Sequence, residues 1–341
     1  MSDPNSWRDL VQEDALERDL PIIDSHHHIW PVAPAPGLEN WDVPDLRSYK
    51  RNCGHNIVAT VFCEAHANYR TDGPEALRPV GETEYVNRVG EEAEQEGGKL
   101  SGLCAAIIAN ADLMLGADVA AVLDAHRAAS PKRLRGTRYM TANDADIPMP
   151  PPFDTEPGMM GRAAFRAGFE QVAKRGLSYD AFILHPQLPE VADLARSFPD
   201  TKIIIDHVGG PVGIGRFNGT AASFDEWKDG MAAFAAQKNS FVKLGGLHLW
   251  FTGMGRVGAE RPRTSIEIAE IHGEHILTAI DLFGADRCMF ESNFPVDRMD
   301  TGATILWNAF KRITAQLDPA DRAQLFSGTA ARVYGLDQTG G

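Results

Sequence analysis

The chain has little of what would tie it to a membrane, an oxidising compartment or a nucleic acid. No run of about 18 apolar residues occurs in it, so no stretch reads as a membrane-spanning helix. Its first twenty residues carry Glu13, Asp14, Glu17, Arg18 and Asp19 and lack the apolar core of a signal peptide. Cysteine is scarce: Cys53, Cys63, Cys104 and Cys288 are widely spaced and form no Cys-x-x-Cys pair. A redox motif or a cysteine-built zinc site is therefore not indicated, and the last three, each in an apolar run, read as buried thiols. Positive charge is in deficit, with 33 Lys+Arg against 47 Asp+Glu and a formal net charge of -14. That balance argues against nucleic acid and anionic membrane as partners. It leaves room for a small anionic ligand, since a local pocket can be basic on an acidic protein. No internal repeat or low-complexity tract occurs. The expectation is a cytoplasmic protein acting on a small molecule.

What is present is core. Apolar residues make up 43% of the 341, enough for a large folded unit. Eight short apolar runs recur: Pro21 to Asp24, Ile57 to Cys63, Leu103 to Ile108, Leu134 to Arg138, Ala181 to Leu184, Lys202 to Asp206, Phe241 to Leu244 and Arg287 to Phe290. Near-continuous apolar character suits parallel strands covered on both faces. Helical spacing separates many of them, as in Phe165, Phe169, Val172 and Ala173, or Phe224, Trp227, Met231 and Phe234. Asp318-Pro319 opens a last helix with a cap and a proline at its first position. Eight strands alternating with helices predict an α/β fold, a (β/α)8 TIM barrel over residues 21–335 behind an extension at 1–20. The Pro-rich stretch near 143–160 and the stretch near 247–265 read as long loops at the mouth.

In such a barrel the chemistry gathers at the C-terminal ends of the strands. The polar candidates fall there. His26 and His28 follow the first strand in Ile23-Asp24-Ser25-His26-His27-His28-Ile29-Trp30, and Glu64 and His66 follow the second. Arg138 ends the fourth, His185 the fifth, His207 follows the sixth, and Asn293 lies past the eighth. Alternation along a strand puts Asp24, His26 and His28 on one face and His27 on the other. Two imidazoles so placed can reach one metal ion; a histidine-rich surface loop is the alternative. Lys243 lies within the seventh strand and reads either as a substrate contact or as a buried ion-pair member. Tyr69 and Arg70 follow Glu64 and read as a loop over the site. His272 and His275 share a helix face that reads as solvated.

In this order the chain shows Asp24-x-His26-x-His28, Arg135-Gly136-Thr137-Arg138, His185-Pro186-Gln187-Leu188-Pro189, Ile205-Asp206-His207-Val208-Gly209-Gly210-Pro211, Val242-Lys243-Leu244-Gly245-Gly246-Leu247 and Phe290-Glu291-Ser292-Asn293-Phe294-Pro295. Together they resemble the amidohydrolase superfamily in its amidohydrolase-related branch, which includes 2-pyrone-4,6-dicarboxylate lactonase and sugar-acid lactonases. The resemblance spans about residues 20 to 335. It implies a hydrolase acting on a small carbonyl compound that carries a carboxylate, at a lactone-type or related C–O or C–N bond. It implies a divalent metal, zinc first, held among His26, His28, His185, His207 and Glu64, with a metal-free variant also known in the branch. Arg138 would grip a substrate carboxylate, with Lys243 and Tyr69 as further substrate contacts. A homodimer is a family-level expectation.

One position departs from the branch. Its eighth-strand motif usually reads Ser-Asp-Trp-Pro, and here it reads Ser292-Asn293-Phe294-Pro295. An amide cannot serve as a general base. The resemblance then leaves Glu64 or Glu291 as proton acceptor, His207 as a substrate-polarising group and Asn293 as a weak ligand or water-orienting group. The same departure keeps open an iron- or manganese-dependent monooxygenase on this scaffold, and a non-catalytic partner subunit of a hetero-oligomer.

Overall fold

The structure is a computed structural model, and it describes residues 7–35, 37–149, 155–218, 220–256 and 258–336. Prolines 150–152 of the predicted mouth loop lie outside the described residues. Eight strands run in chain order around one parallel sheet: β1 (Pro21–His27), β2 (Asn56–Cys63), β3 (Ala106–Asn110), β4 (Leu134–Arg138), β5 (Ser178–Ala181), β6 (Ile203–Ile205), β7 (Ser240–Leu244) and β8 (Cys288–Phe290). The sheet curls into a nearly closed barrel. Its seam is joined by Asn293 N–H donating to His26 O (2.9 Å) and His28 N–H to Phe294 O (2.7 Å), just past β8.

Helices α1 (Val43–Asn52), α2 (Val80–Glu96), α3 (Val119–Ala129), α4 (Ala163–Lys174), α5 (Leu188–Ser197), α6 (Ala221–Ala235), α7 (Ser265–Phe283) and α8 (Ala303–Ile313) cover the outside. The periodic apolar residues behave as their spacing requires: Phe165, Phe169 and Val172 of α4, and Trp227, Met231 and Phe234 of α6, are buried. Two last segments, α9 (Pro319–Ala323) and α10 (Thr329–Tyr334), follow. Asp318 caps α9 by accepting from Ala320 N–H at 2.8 Å. The end of α10 plugs the barrel floor. Arg135, near the start of β4, donates to Tyr334 O, and Lys202, before β6, donates to Val333 O.

Alternation fixes the interior. Val61 and Cys63 of β2, Ala106 and Ile108 of β3, Ile204 of β6 and Met289 of β8 pack with Ile23, Val333 and Tyr334. Continuing that parity upward brings Arg138, Asp206, Lys243 and Glu291 into the barrel, each at most 4% exposed. Two strands sit off their expected positions. The run predicted for the fifth, Ala181 to Leu184, begins where β5 ends. Asp180 is tolerated inside β5 because Lys243 pairs with it at 2.5 Å. Phe182 and Leu184 are apolar for another reason: they pack with Met140, Ile147 and Phe251 over the mouth. His185 accordingly lies four residues beyond the strand it was expected to end. Leu103 and Cys104 precede β3 in a turn, Cys104 at φ 49° with its N–H bonded to Thr60 Oγ1.

Candidate active site

The bulge in β1 decides what its histidines can do. Ile23 points into the barrel and Asp24 away from it, accepting from Tyr49 Oη of α1 (2.9 Å), Ser292 Oγ (2.6 Å) and Ser292 N–H (2.8 Å). Strict alternation would then turn His26 away too. The register shifts between Asp24 and His27, and the shift resets the alternation so that His26 faces inward. Asp24 therefore does not share the face of His26 and His28. His27 packs against Phe62, with ring centroids 6.1 Å apart.

His26 stands at the junction of two sets of groups. Its Nε2 lies 3.1 Å from His28 Nε2. His28 Nδ1–H donates to Cys63 O at 2.8 Å, which leaves the His28 Nε2 lone pair aimed at His26. Two facing lone pairs repel, so this contact needs a proton or a cation between them. On its other edge, His26 Nδ1 meets Glu291 Oε2 at 3.0 Å and Asp206 Oδ1 at 3.4 Å. Burial and the Lys243 ammonium, 3.1 Å from Nδ1, oppose charge on His26, but Cys63, Asp206 and Glu291 together outweigh them and hold its pKa well above the ordinary histidine range. Burial, together with the charges of His26 and Arg138, keeps His28 neutral.

Around this pair lies a buried ionic network. Arg138 of β4 donates from Nε to Glu64 Oε1 (2.7 Å), from Nη2 to Glu64 O (2.7 Å) and from Nη1 to Asp206 Oδ2 (3.2 Å). Lys243 pairs with Asp180 (2.5 Å) and Asp206 (3.1 Å). Burial would raise the pKa of Glu64, Asp206 and Glu291, yet the cations facing them hold all three below the usual carboxylate range, Glu291 at about 2. The buried carboxylates Glu64, Asp180, Asp206 and Glu291 outnumber Arg138, Lys243 and a charged His26, and the network has use for a further positive charge. Imidazole and carboxylate donors suit zinc, iron or manganese. Among the described residues, His26, Asp206 and His207 bring ligand atoms within 4.8 Å of one another. The arrangement fits a divalent cation.

His207 begins the turn after β6 at φ 54°. Its Nδ1–H donates to Glu291 Oε1 at 2.8 Å, and the same oxygen accepts its backbone N–H at 3.0 Å. Room for this pair comes from two glycines after β7. A Cβ on Gly246 would stand 2.2 Å from His207 Nδ1, and one on Gly245 would stand 2.4 Å from Glu291 O. With Nδ1 committed, the other ring nitrogen of His207 is left for chemistry. The ring borders a cavity of about 470 Å³ at the mouth, which His28, Arg138 and Asn293 also line. Asn293, at φ 53°, leaves the extended conformation of β8. Its Nδ2 donates to Asp297 Oδ1 at 2.9 Å, and burial lifts the Asp297 carboxyl to about 6.

The structure brings together His26, His28, His207, Glu291, Arg138 and Asn293. Glu64 and Lys243 lie beneath them, consumed by ion pairs, and Lys243 takes the buried-pair alternative. Arg138 turns its fork onto the protein's own acids. His185 stands apart: its ring packs on Phe217 and its Nδ1 accepts from Val212 N–H at 3.0 Å. Tyr69 stacks on His66 and lines no part of the cavity. His272, expected on a solvated face, is buried against His248 with centroids 4.7 Å apart, and His275 packs on Trp227. The sequence reading missed Asp180. It lay ahead of the run read as the fifth strand, and only the observed register, with Arg138 opposite Asp180, brings it inside.

A model of the Amidohydrolase family matches residues 23–336. Among curated proteins, y4mH of Sinorhizobium fredii, described as uncharacterized, is 30% identical over 336 residues, covering 93% of this chain and 99% of that protein. An L-fucono-1,5-lactonase of Burkholderia ambifaria is 26% identical over 325 residues, covering 94% and 97%. Among solved structures, a zinc-bound amidohydrolase of Burkholderia multivorans superposes with a TM-score of 0.67 at 22% identity, covering 93% and 99%.

Proposed function

The chain belongs to the amidohydrolase family and is an enzyme of the hydrolase kind, and from that premise we propose that it opens a lactone-type ester at the mouth of its barrel, with His207 as the proton acceptor. The observation that carries this reading is the His207 Nδ1 to Glu291 Oε1 bond of 2.8 Å beside the cavity. Donation to Glu291 fixes the tautomer, so the remaining ring nitrogen carries a lone pair. It can take a proton from an attacking water and return it to the ring oxygen that leaves as the acyl bond breaks. Glu291 orients the ring and stabilises the imidazolium that forms, as the acid of a triad does. Its own pKa near 2 makes Glu291 a poor base, and it touches no part of the cavity. Glu64 is likewise bound to Arg138. Asn293 orients water through its side-chain oxygen, the amide nitrogen being held by Asp297.

Members of the family typically bind a divalent metal ion. Here His26 and His28 would hold it, with Asp206, and it would polarise the carbonyl and acidify water. Arg138 acts from the floor, holding Glu64 and Asp206 in place. The test is hydrolysis of a lactone panel by His207→Ala and Glu291→Gln proteins of unchanged circular dichroism. The expected loss in kcat is on the order of 10²–10⁴ for His207→Ala, with a shifted pH profile for Glu291→Gln. Full activity in His207→Ala would overturn the assignment.

A further inference from the structure

The walls of the cavity say more about its substrate than its floor does. The reactive groups His28, His207, Arg138 and Asn293 sit together at the base. Above them the described lining is dominated by Trp30, Met140, Phe182, Trp250, Phe251 and Met299. Trp250, 48% exposed, lines the cavity with its ring edge-on to Phe251 at 5.9 Å between centroids. The remaining polar wall is one patch, His248 beside Asp300, with Nδ1 and Oδ2 3.6 Å apart.

Two substrate chemistries suit this cavity badly. A polyhydroxylated ring needs a partner for each hydroxyl it buries. The polar atoms at the floor are few: His28 Nδ1 is held by Cys63, His207 Nδ1 by Glu291 and Asn293 Nδ2 by Asp297, which leaves the other nitrogen of each ring, the Asn293 oxygen and the His248 ring against a wall that is otherwise mostly apolar. A dicarboxylate needs cations. Arg138 is the one cationic side chain among the described lining residues, and it already serves Glu64 and Asp206. Asp300 in the wall and the acid excess below would repel a second carboxylate.

Resting on the hydrolase reading above, we infer that the substrate is a neutral lactone with an aromatic or alkyl body. Its one polar end, the ester, meets the floor, and its body packs against the tryptophan, phenylalanine and methionine walls. Such a pocket holds an apolar body well, and it disfavours a polyol, whose hydroxyls would lie unpaired against it.

The enzyme as purified would be given dihydrocoumarin, γ-undecalactone and D-glucono-1,5-lactone. Hydrolysis would be followed by pH-stat and binding by calorimetry. The expected result is a kcat/KM at least 100-fold higher for the two apolar lactones. In Trp250→Ser their KM should rise about tenfold. A ratio near or below one overturns the inference while leaving the hydrolase reading intact. Tight binding of the apolar lactones without turnover of any lactone supports the inference and removes the hydrolase reading. No binding of either apolar lactone overturns the inference outright.

Discussion

Lys243 shows how burial settles a residue's role. Its side chain is fully buried, and burial alone would strip its charge, yet Asp180 and Asp206 outweigh that and keep its pKa well above the ordinary lysine value. Removing one partner from such a cluster strands the others. Lys243→Met is expected to destabilise the fold by about 3–5 kcal/mol, read by urea unfolding. Normal stability with a raised KM would instead make Lys243 a substrate contact. Tyr334 Oη, which donates to Asp180 Oδ2 at 2.9 Å, ties the same cluster to the floor plug. The same reasoning applies to Arg138. Three of its N–H groups are committed before any substrate arrives, so its place at the cavity edge does not make it a free anion clamp.

At the scale of elements, the segment after β8 does the joining. Ser292 clasps Asp24, Asn293 bonds back to β1, and Asp297 receives Asn293 Nδ2 and His248 N–H. Asp297 is fully buried, and its carboxyl is lifted to about 6 from an ordinary 3.8. A raised acid favours the folded state below its unfolded pKa, and that contribution is lost as pH rises through about 6. Between pH 4 and 7 this group alone should cost about 2 kcal/mol of stability. Asp297→Asn cannot ionise, so its unfolding free energy should change less steeply across that window. Parallel slopes for the two proteins would place the Asp297 pKa near its unfolded value.

For the whole molecule, the question is charge stored inside a barrel. The interior holds more carboxylate than cation near His26 and His28, and folding must meet that excess with protons or with metal. A bound divalent ion stabilises the native state by mass action, by about 2.7 kcal/mol at a hundredfold excess over Kd. Dialysis against a chelator should therefore lower Tm by about 5 °C. Zinc, or whichever metal elemental analysis finds, should restore it. An unchanged Tm in protein shown to have lost metal would mean that protons on the histidines meet the excess instead.

Much of this was legible along the chain. Recurring apolar runs separated by helical spacing pointed to the barrel, because parallel strands covered on both faces are mostly apolar, although β5 precedes its run and carries Asp180. That architecture then placed His26, His28, Arg138, His207 and Asn293 at one end. Alternation could not foresee the bulge in β1, since the register shift belongs to the pairing of β1 with β2, a strand distant in the chain. Nor could it show that the apolar run at Phe182–Leu184 belongs to the mouth cluster and not to a strand. The sequence by itself determined the architecture and most of the chemistry-bearing side chains that gather at the barrel mouth, though not that His185 and Tyr69 stand apart from them. Only the tertiary structure decided their division of labour. Whether a carboxylate serves as base, ligand or counter-ion depends on the cation it meets across the barrel. For Glu64, Asp206 and Glu291, those partners lie on strands far away in the chain.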